Sequence, residues 1–272
     1  MREGKMSYKW VEVKVADNVG TLSLSRVESM NALSLTFARE ITEAMRELSA
    51  MKNVRVIILR SKAKAFCVGL DLKDFQTLGL DGSAKSSLEF PERLHYLFDC
   101  ANVFEACKKP VIAAVHGMCV GGGLDIISAC DIRLATKDAM FSLREAALGI
   151  VADLGVLQRL PYIIGQGFTR EMAYTARLFS AREVERMGLL NTLYSDYETM
   201  MEAATILALQ IAENPPLAVQ STKDVLNHGR SGAIQEGMEY ATHKNMVLFS
   251  SEDLKEAISA FARKRKPDFK GR

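Results

Sequence analysis

Three carboxylates follow one another in a largely apolar part of the chain. Asp125 comes just after a run of glycines, Glu145 lies within Phe141–Ala146, and Asp153 lies within Gly149–Gly155. A carboxyl group in an apolar pocket has a raised pKa, so it can accept or release a proton near neutral pH. Two such groups on opposite sides of a bound chain could move a proton from one carbon to another. The residue types therefore indicate acid–base chemistry.

Each carboxylate also has a purely structural interpretation. Asp125 could interact favourably with the dipole of the helix that begins around it. Glu145 could form an ion pair with Arg144 or another base, and Asp153 could cap the N-terminus of a helix over residues 154–160. The residues of this segment leave both interpretations open.

Two glycine-containing loops share one design. A predicted strand over 54–59 leads into Lys64–Asp71, and a predicted strand over 111–115 leads into Gly117–Gly123; a helical run follows each. Glycine lets the backbone approach a ligand closely, and the first turn of a helix has unpaired N–H groups. One N–H group from each loop, directed at one point, would form an oxyanion hole. Alternatively, Gly121 to Gly123 only permit close packing; their spacing matches neither a dinucleotide nor a P-loop motif.

The chain around these loops alternates between strand and helix patterns. Alternating apolar and polar residues on either side of Asp17-Asn18 predict a β-hairpin, and Leu35–Ala50 has helical periodicity. Residues 82–90 are small and polar and predict a loop, followed by a helix from about 91 to 107. From about residue 200 onward the pattern is almost wholly helical. Strands separated by helices predict an α/β core followed by a helical C-terminal region.

The composition is that of a globular protein without a strong charge bias. The 272 residues include 35 basic and 33 acidic side chains, a formal net charge of +2, and 48% are hydrophobic. Such a chain can bury a sizeable core. The balanced charge argues against a dedicated nucleic-acid-binding protein. No apolar run approaches the ~20 residues of a membrane-spanning helix, so we expect no membrane insertion.

The cysteines and histidines show no metal or nucleophile signature. The five cysteines are odd in number and form no C-x-x-C pair, which favours buried thiols in a reducing compartment. His116 follows an apolar run and is predicted at a strand end, and the histidines have no metal-ligand spacing. We therefore expect no metal site. No decisive targeting signal is present, which leaves mitochondrial, peroxisomal or glycosomal, and cytoplasmic locations open.

These residues resemble the crotonase, or enoyl-CoA hydratase/isomerase, superfamily over nearly the whole chain. The motifs that carry the resemblance are Asn31–Leu33, Lys64–Asp71, Lys109–Gly117, Gly121–Asp125, Ser128–Asp131, Arg159–Pro161, Phe179–Ala181, Gly188–Asn191 and Asn214–Pro216. The resemblance implies an α/β fold, a crotonase-type spiral of ββα turns with a C-terminal helical region. It implies a core over residues 1–200 that holds the CoA and active sites. Residues 201–272 would form a helical trimerisation region, giving a homotrimer or a homohexamer.

Within the superfamily, the chain is most similar to the Δ(3,5)-Δ(2,4)-dienoyl-CoA isomerases. Their pattern has Asp after the glycine triplet, a Glu further along, and then Ala-Asp-x-Gly-x-Leu-Gln-Arg-Leu-Pro. In this chain these are Asp125, Glu145 and Ala152–Pro161. Enoyl-CoA hydratases resemble the first half of this site but have Glu at both positions 125 and 145, and they lack the acid at 153. The third carboxylate therefore favours the isomerase.

The resemblance also implies roles for individual residues. The oxyanion donors would be the backbone N–H groups of Leu70 and Gly122. Glu145 would be the base at C2 of a 3,5-dienoyl-CoA and Asp153 the acid at C6, although the sequence does not fix which group takes and which gives the proton. Asp125 would orient or electrostatically tune the site.

Coenzyme A would be carried by the substrate, so the resemblance implies no separate cofactor. The implied CoA-binding positions are Val68, Gly69, Leu70, Asp71, Leu72 and Gly122. Phe261 and Lys264 would help to hold the CoA nucleotide, of the same or a neighbouring subunit, and the 82–90 loop would border the acyl pocket. The alternatives are an enoyl-CoA hydratase or Δ3,Δ2-enoyl-CoA isomerase on the same scaffold, and a non-catalytic acyl-CoA- or RNA-binding member. The presence of all three carboxylates speaks against the last of these.

Overall fold

The structure, a computed structural model, describes residues 8–73 and 84–271. It begins with the predicted hairpin, in which β1 (Val11–Ala16) and β2 (Val19–Leu24) pair antiparallel. The turn residues Asp17 and Asn18 have φ angles of 49° and 63°. A two-residue type I′ turn requires this left-handed region, which Asp and Asn tolerate.

Two sheets of different size follow. In the larger sheet the strand order is β1-β2-β3-β4-β6-β9, and every pair after the hairpin is parallel. The smaller sheet has the order β5-β7-β8. The strands after the hairpin are β3 (Val56–Ser61), β4 (Val111–Val115), β5 (Met118–Val120), β6 (Ile132–Thr136), β7 (Met140–Ser142), β8 (Phe179–Ser180) and β9 (Thr192–Tyr194). Parallel neighbours need crossover connections, which confirms the predicted α/β class.

Helices supply these crossovers and then form the C-terminal region. Helix α1 (Leu35–Ala50) has the predicted bounds and is capped by Ser34, whose hydroxyl accepts the Phe37 N–H. The other helices are α2 (Ala84–Ala106), α3 (Gly122–Ser128), α4 (Val156–Thr175), α5 (Ala181–Arg186), α6 (Tyr197–Glu213), α7 (Pro216–His228), α8 (Ser231–Leu248) and α9 (Glu252–Ala262). Single 3-10 turns lie at Val27–Ser29 and Glu145–Leu148.

Apolar side chains cover both faces of the larger sheet. In β3, Ile57 and Leu59 belong to one buried cluster and Val56 and Ile58 to another, because successive strand residues point to opposite faces. Helix α6 covers the second face with a stripe of one residue in every four, namely Met200, Ala204, Ala208 and Ala212. The core therefore has helices on both sides of a largely parallel sheet.

The prediction of a loop over residues 82–90 was wrong for the residues of this range that the structure describes. Helix α2 begins at Ala84, so residues 84–90 are helical, whereas 82 and 83 lie outside the described residues. The prediction started the helix at Pro91, a residue that favours a first turn. Lys85, Leu88 and Glu89 are good helix formers, and they extend the helix upstream of that proline.

The predictions for the cysteines and His116 were confirmed. All five cysteines are buried free thiols. His116 directly follows β4, and its Nε2 lies 2.8 Å from the Ala63 carbonyl oxygen. In the described parts of the chain, no helix has both the length and the hydropathy needed to cross a membrane.

Candidate active site

The two glycine loops lie against each other. Cys67 N–H donates to the Met118 carbonyl at 3.0 Å, and Val120 N–H donates back to the Cys67 carbonyl at 2.9 Å. A Cβ atom built on Gly69 would lie 3.7 Å from the Gly121 Cα. Both of these glycines have a left-handed φ, 89° at Gly69 and 52° at Gly121, which side chains disfavour. The loops predicted separately from sequence therefore form one surface.

Each loop contains a backbone N–H group for which the described part of the chain has no acceptor. Leu33 bonds to the Gly69 carbonyl and the Asp71 N–H, at 2.7 and 2.9 Å, which leaves the N–H of Leu70 between them unused. Gly122 is the first residue of α3, where an N–H group has no partner within the helix. Neither group has an acceptor within residues 8–73 and 84–271. These are the two predicted oxyanion donors.

Two of the glycines make the close packing that the alternative interpretation predicts. A Cβ atom on Gly122 would lie 2.5 Å from Leu33 Cδ1, and one on Gly123 would lie 2.9 Å from both the Cβ and the carbonyl oxygen of Cys67. A larger residue at 123 would push the start of α3 away from the first loop, and one at 122 would have to displace the Leu33 side chain. Gly122 thus combines close packing with an N–H group that has no acceptor among the described residues.

The remaining CoA-loop positions are partly accessible. Val68, Leu70, Asp71 and Leu72 are half-buried. The Asp71 carboxylate pairs with Arg26 at 2.7 Å, and both side chains are largely covered. This ion pair fixes the loop directly after the Leu70 N–H group.

One of the three carboxylates lies in α3, the helix that begins at Gly122, and a second lies close to the start of that helix. Asp125, in the first turn of α3, is 1% exposed, and its Oδ1 accepts the Val156 N–H at 2.9 Å. Glu145 opens the second 3-10 turn, and its Oε1 lies 3.1 Å from where a Gly121 Cβ would be. Asp125 Oδ2 and Glu145 Oε2 are buried and have no hydrogen-bond partner among the described residues. Arg144 does not pair with Glu145, since its guanidinium donates to the Ala176 carbonyl instead.

The helix-capping interpretation of Asp153 was wrong. Helix α4 begins at Val156 and its N-cap is Gly155. Asp153 lies before this start, and its Oδ2 instead accepts the Asn245 side-chain N–H at 2.7 Å. Its side chain is half-buried, so it is in contact with protein but not sealed off.

Sequence reasoning missed Asn245 and Arg159. Asn245, on α8, bonds to both the N–H and the carbonyl of Val151 as well as to Asp153. Arg159, on α4, is 1% exposed, donates to the Leu154 carbonyl at 3.0 Å, and pairs with Glu105 at 2.9 Å. Asparagine is a poor helix former, which was the sole local signal at 245, and Arg159 was noted only as part of a motif.

The surroundings shift the acidity of all three carboxyl groups in one direction. Burial, reinforced by the charge of Asp153, raises the pKa of Glu145 to about 7. Burial raises the pKa of Asp153 to about 6, and the hydrogen bond from Asn245 opposes that increase. Burial and then the charge of Glu145 raise the pKa of Asp125 well above its usual range. Glu145 and Asp153 can therefore each gain or lose a proton near neutral pH.

The C-terminal positions Phe261 and Lys264 are exposed and, in the described part of the chain, are not bonded to the predicted CoA-binding loop. Phe261 is in the last turn of α9 and is 68% exposed. Lys264 follows the helix with a φ of 51° and is exposed. Among the described residues, no hydrogen bond or ion pair joins either of them to residues 68–72. Their role in CoA binding stays a prediction.

Comparison with known proteins agrees with this geometry. The enoyl-CoA hydratase/isomerase family profile matches residues 14–272. The peroxisomal Δ(3,5)-Δ(2,4)-dienoyl-CoA isomerase of Arabidopsis thaliana is 40% identical over 97% of this chain and 98% of its own. The mitochondrial enzyme of that name from Dictyostelium discoideum is 38% identical over 97% of this chain and 92% of its own.

The fold is shared with solved structures of the same group. Carnitinyl-CoA hydratase from Mycobacterium avium superimposes with a TM-score of 0.86 at 29% identity, covering 98% of this chain and all of that one. The predicted crotonase-type fold is confirmed. The match of profile, relatives and fold over nearly the full length shows that this chain belongs to the enoyl-CoA hydratase/isomerase family.

Proposed function

We propose that this protein is a Δ(3,5)-Δ(2,4)-dienoyl-CoA isomerase of unsaturated fatty-acid β-oxidation. The observation that carries the proposal is the pair Glu145 and Asp153, two carboxyl groups whose pKa values are raised to about 7 and 6. Glu145 lies beside the two loops with unused N–H groups, and Asp153 is near enough for its charge to raise the pKa of Glu145. Relatives at 38–40% identity carry this enzyme name, which supports the same assignment.

The first step forms a dienolate. The thioester oxygen accepts hydrogen bonds from the N–H groups of Leu70 and Gly122, which stabilise negative charge on that oxygen. Glu145 takes a proton from C2, the electrons of the C2–H bond form a C1=C2 double bond, and the π pair of the C1=O bond moves onto the oxygen. The C3=C4 and C5=C6 double bonds stay in place and are now conjugated with the enolate.

The second step returns a proton at the far end. The C1=O bond re-forms, the C1=C2 pair becomes C2=C3, and the C3=C4 pair becomes C4=C5. The electron pair of the C5=C6 bond takes a proton from Asp153 at C6, which gives the 2,4-dienoyl-CoA. One proton leaves the substrate and one enters, so the reaction is an isomerisation without a redox change. After the reaction Glu145 is protonated and Asp153 is ionised. Because both pKa values are close to neutral, returning a proton from Glu145 to Asp153 requires little free energy.

The roles of the neighbouring residues follow from their positions. The raised pKa of Asp125 favours its neutral form, so this group avoids adding a third negative charge beside Glu145. The CoA moiety lies along Val68–Leu72, where the backbone rather than the Asp71 carboxylate contacts it, because Arg26 already pairs with that carboxylate. The substrate brings its own coenzyme A and the mechanism uses no further cofactor.

The protein assembles as a homotrimer or homohexamer in this proposal. Large apolar side chains stand exposed on the C-terminal helices α7 and α8, namely Leu217, Val225, Leu226 and Val247. Exposed apolar groups in such number favour burial against another copy. Phe261 and Lys264 would then approach the CoA nucleotide of a neighbouring subunit. The relatives are named as peroxisomal and mitochondrial enzymes, which supports an organelle of fatty-acid oxidation.

A spectroscopic assay tests the activity. The wild-type protein is given 3,5-octadienoyl-CoA and the conjugated 2,4-dienoyl absorbance is followed, with crotonyl-CoA hydration measured in parallel. We expect fast diene formation, little hydration, and a loss of about 10²- to 10⁴-fold in kcat for Glu145→Gln and Asp153→Asn. Glu171→Gln, which removes an exposed carboxylate on α4, is the matched control and should retain activity.

Two results would overturn the assignment. Hydration of crotonyl-CoA without a diene signal would identify a hydratase. If the protein binds acyl-CoA but converts neither substrate, it is a non-catalytic member of the family.

A further inference from the structure

The side chain of Asn245 bonds to three groups in the segment that carries Asp153. Its Oδ1 accepts the Val151 N–H at 2.9 Å, and its Nδ2 donates to the Val151 carbonyl at 2.8 Å and to Asp153 Oδ2 at 2.7 Å. The two N–H bonds of the amide thus go to two different acceptors. Asn245 is 1% exposed, so water cannot replace these bonds.

We propose that Asn245 is a positioning residue for Asp153, holding one carboxyl oxygen so that the other is presented to the substrate. The inference rests on the proposed function, since it deepens the role of Asp153 as the proton carrier at C6. Among the described residues, Asp153 Oδ1 makes no hydrogen bond to another side chain, and it is the oxygen left for the reaction.

The pattern of donors fixes the orientation of the amide. The Val151 N–H requires an acceptor, so Oδ1 must face it, and Nδ2 then faces the Val151 carbonyl and the Asp153 carboxyl. An isosteric aspartate could accept from Val151 but could not donate to Asp153. The position therefore needs an amide rather than any polar group of the same shape.

A rigid support carries this contact. Asn245 lies in α8, and its neighbours Met246 and Phe249 pack against the main core. On the other side of Asp153, the carbonyl of Leu154 accepts from the buried Arg159. The segment is therefore held on both sides of the carboxylate, which is the precision that proton transfer requires.

The same hydrogen bond affects the titration of Asp153. An N–H donor stabilises the ionised carboxylate and opposes the effect of burial on the pKa of Asp153. Loss of the donor should raise that pKa, so Asp153 would keep its proton to higher pH. With Asp153 as the acid, the alkaline limb of the pH–rate profile would move upward.

The test compares Asn245→Ala and Asn245→Asp with Thr242→Val. Thr242 lies one turn earlier on α8, is 5% exposed, and bonds through its hydroxyl to Met238 of its own helix, which makes it a matched control. Asn245→Asp keeps the acceptor for Val151 and so serves if the alanine variant does not fold. For both Asn245 variants we expect kcat to fall about 10- to 100-fold. We expect KM to change less than about 3-fold, and the alkaline limb to rise by about one pH unit.

A double-mutant cycle separates positioning from general structure. If Asn245 acts through Asp153, then Asn245→Ala in an Asp153→Asn background should lower kcat no further. An equal loss in both backgrounds, or a loss shared by Thr242→Val, would overturn the inference. Wild-type protein that forms no diene would refute the proposed function itself. Active wild type with unchanged Asn245 variants would refute only the role of Asn245.

Discussion

Two clusters of buried charge lie close together in this molecule and are organised in opposite ways. In the first, Arg159 pairs with Glu105 at 2.9 Å, and Glu105 also pairs with Arg230 at 3.1 Å. In the second, Asp125, Glu145 and Asp153 make no ion pair within residues 8–73 and 84–271, and within the same residues Asp125 Oδ2 and Glu145 Oε2 have no hydrogen-bond partner. Opposite charges are matched in one cluster and like charges are gathered in the other.

The difference shows how one fold separates structure from chemistry. Matched charges attract each other, which offsets part of the cost of removing each of them from water. Gathered carboxyls in a low-dielectric site resist ionisation, and the pKa values of Glu145 and Asp153 rise into the neutral range. Arg159 joins the clusters, since its guanidinium also bonds to the carbonyl that follows Asp153.

Glu105→Gln breaks the matched cluster and should have the largest effect on stability. It leaves the buried Arg159 without its anionic partner, which should lower the free energy of unfolding by about 3–5 kcal/mol. Urea denaturation measures this loss. The folded fraction should keep kcat within about tenfold of wild type, since no reacting group is removed. A variant that is fully stable but catalytically dead would contradict the division between the two clusters.

Glu145→Gln changes the gathered cluster and should have the opposite sign. Because the folded-state pKa of Glu145 lies above the unfolded one, its ionisation costs stability as pH rises from about 4.5 to about 7. An uncharged glutamine avoids that cost, so the variant should be more stable than wild type at pH 8, by about 1–3 kcal/mol. Thermal melts at pH 5 and pH 8 check this, since the advantage should shrink at pH 5. A variant destabilised equally at both values would refute it.

The smallest expected effect is the dependence of kcat/KM on pH, a gradual fall on either side of a maximum. The reaction needs Glu145 ionised and Asp153 protonated, so the pair must hold one proton. Below about pH 6 the pair gains a second proton, and activity falls because Glu145 can no longer act as the base. Above about pH 7 the pair loses its last proton, and activity falls because Asp153 can no longer act as the acid. A bell-shaped profile with its maximum between these values is expected. A flat profile from pH 5 to 9 would show that the carboxyl pair does not set the rate.

Much of the fold could be predicted because its signals are local. The hairpin follows from alternation around Asp17-Asn18, and the bounds of α1 follow from apolar spacing after a serine cap. The start of α2 at Ala84 was missed because Pro91 gave a stronger local signal than the helix formers before it. The division of the chain at residue 200 stays a prediction, although Asn245, beyond that point, reaches the site.

The sequence by itself, through its residues and the family resemblance that they carry, indicated the groups that we propose to react: Glu145 and Asp153 with Asp125 beside them, and the N–H groups of Leu70 and Gly122 in two glycine loops. Only the tertiary structure decided how they are used. Asp153 looked like a helix cap, but Asn245 binds it across 92 positions of the chain, and Arg159 holds the next residue from within the core. Periodicity and capping patterns report contacts within a few residues. A hydrogen bond between distant segments instead depends on how whole helices pack, and no local pattern encodes that.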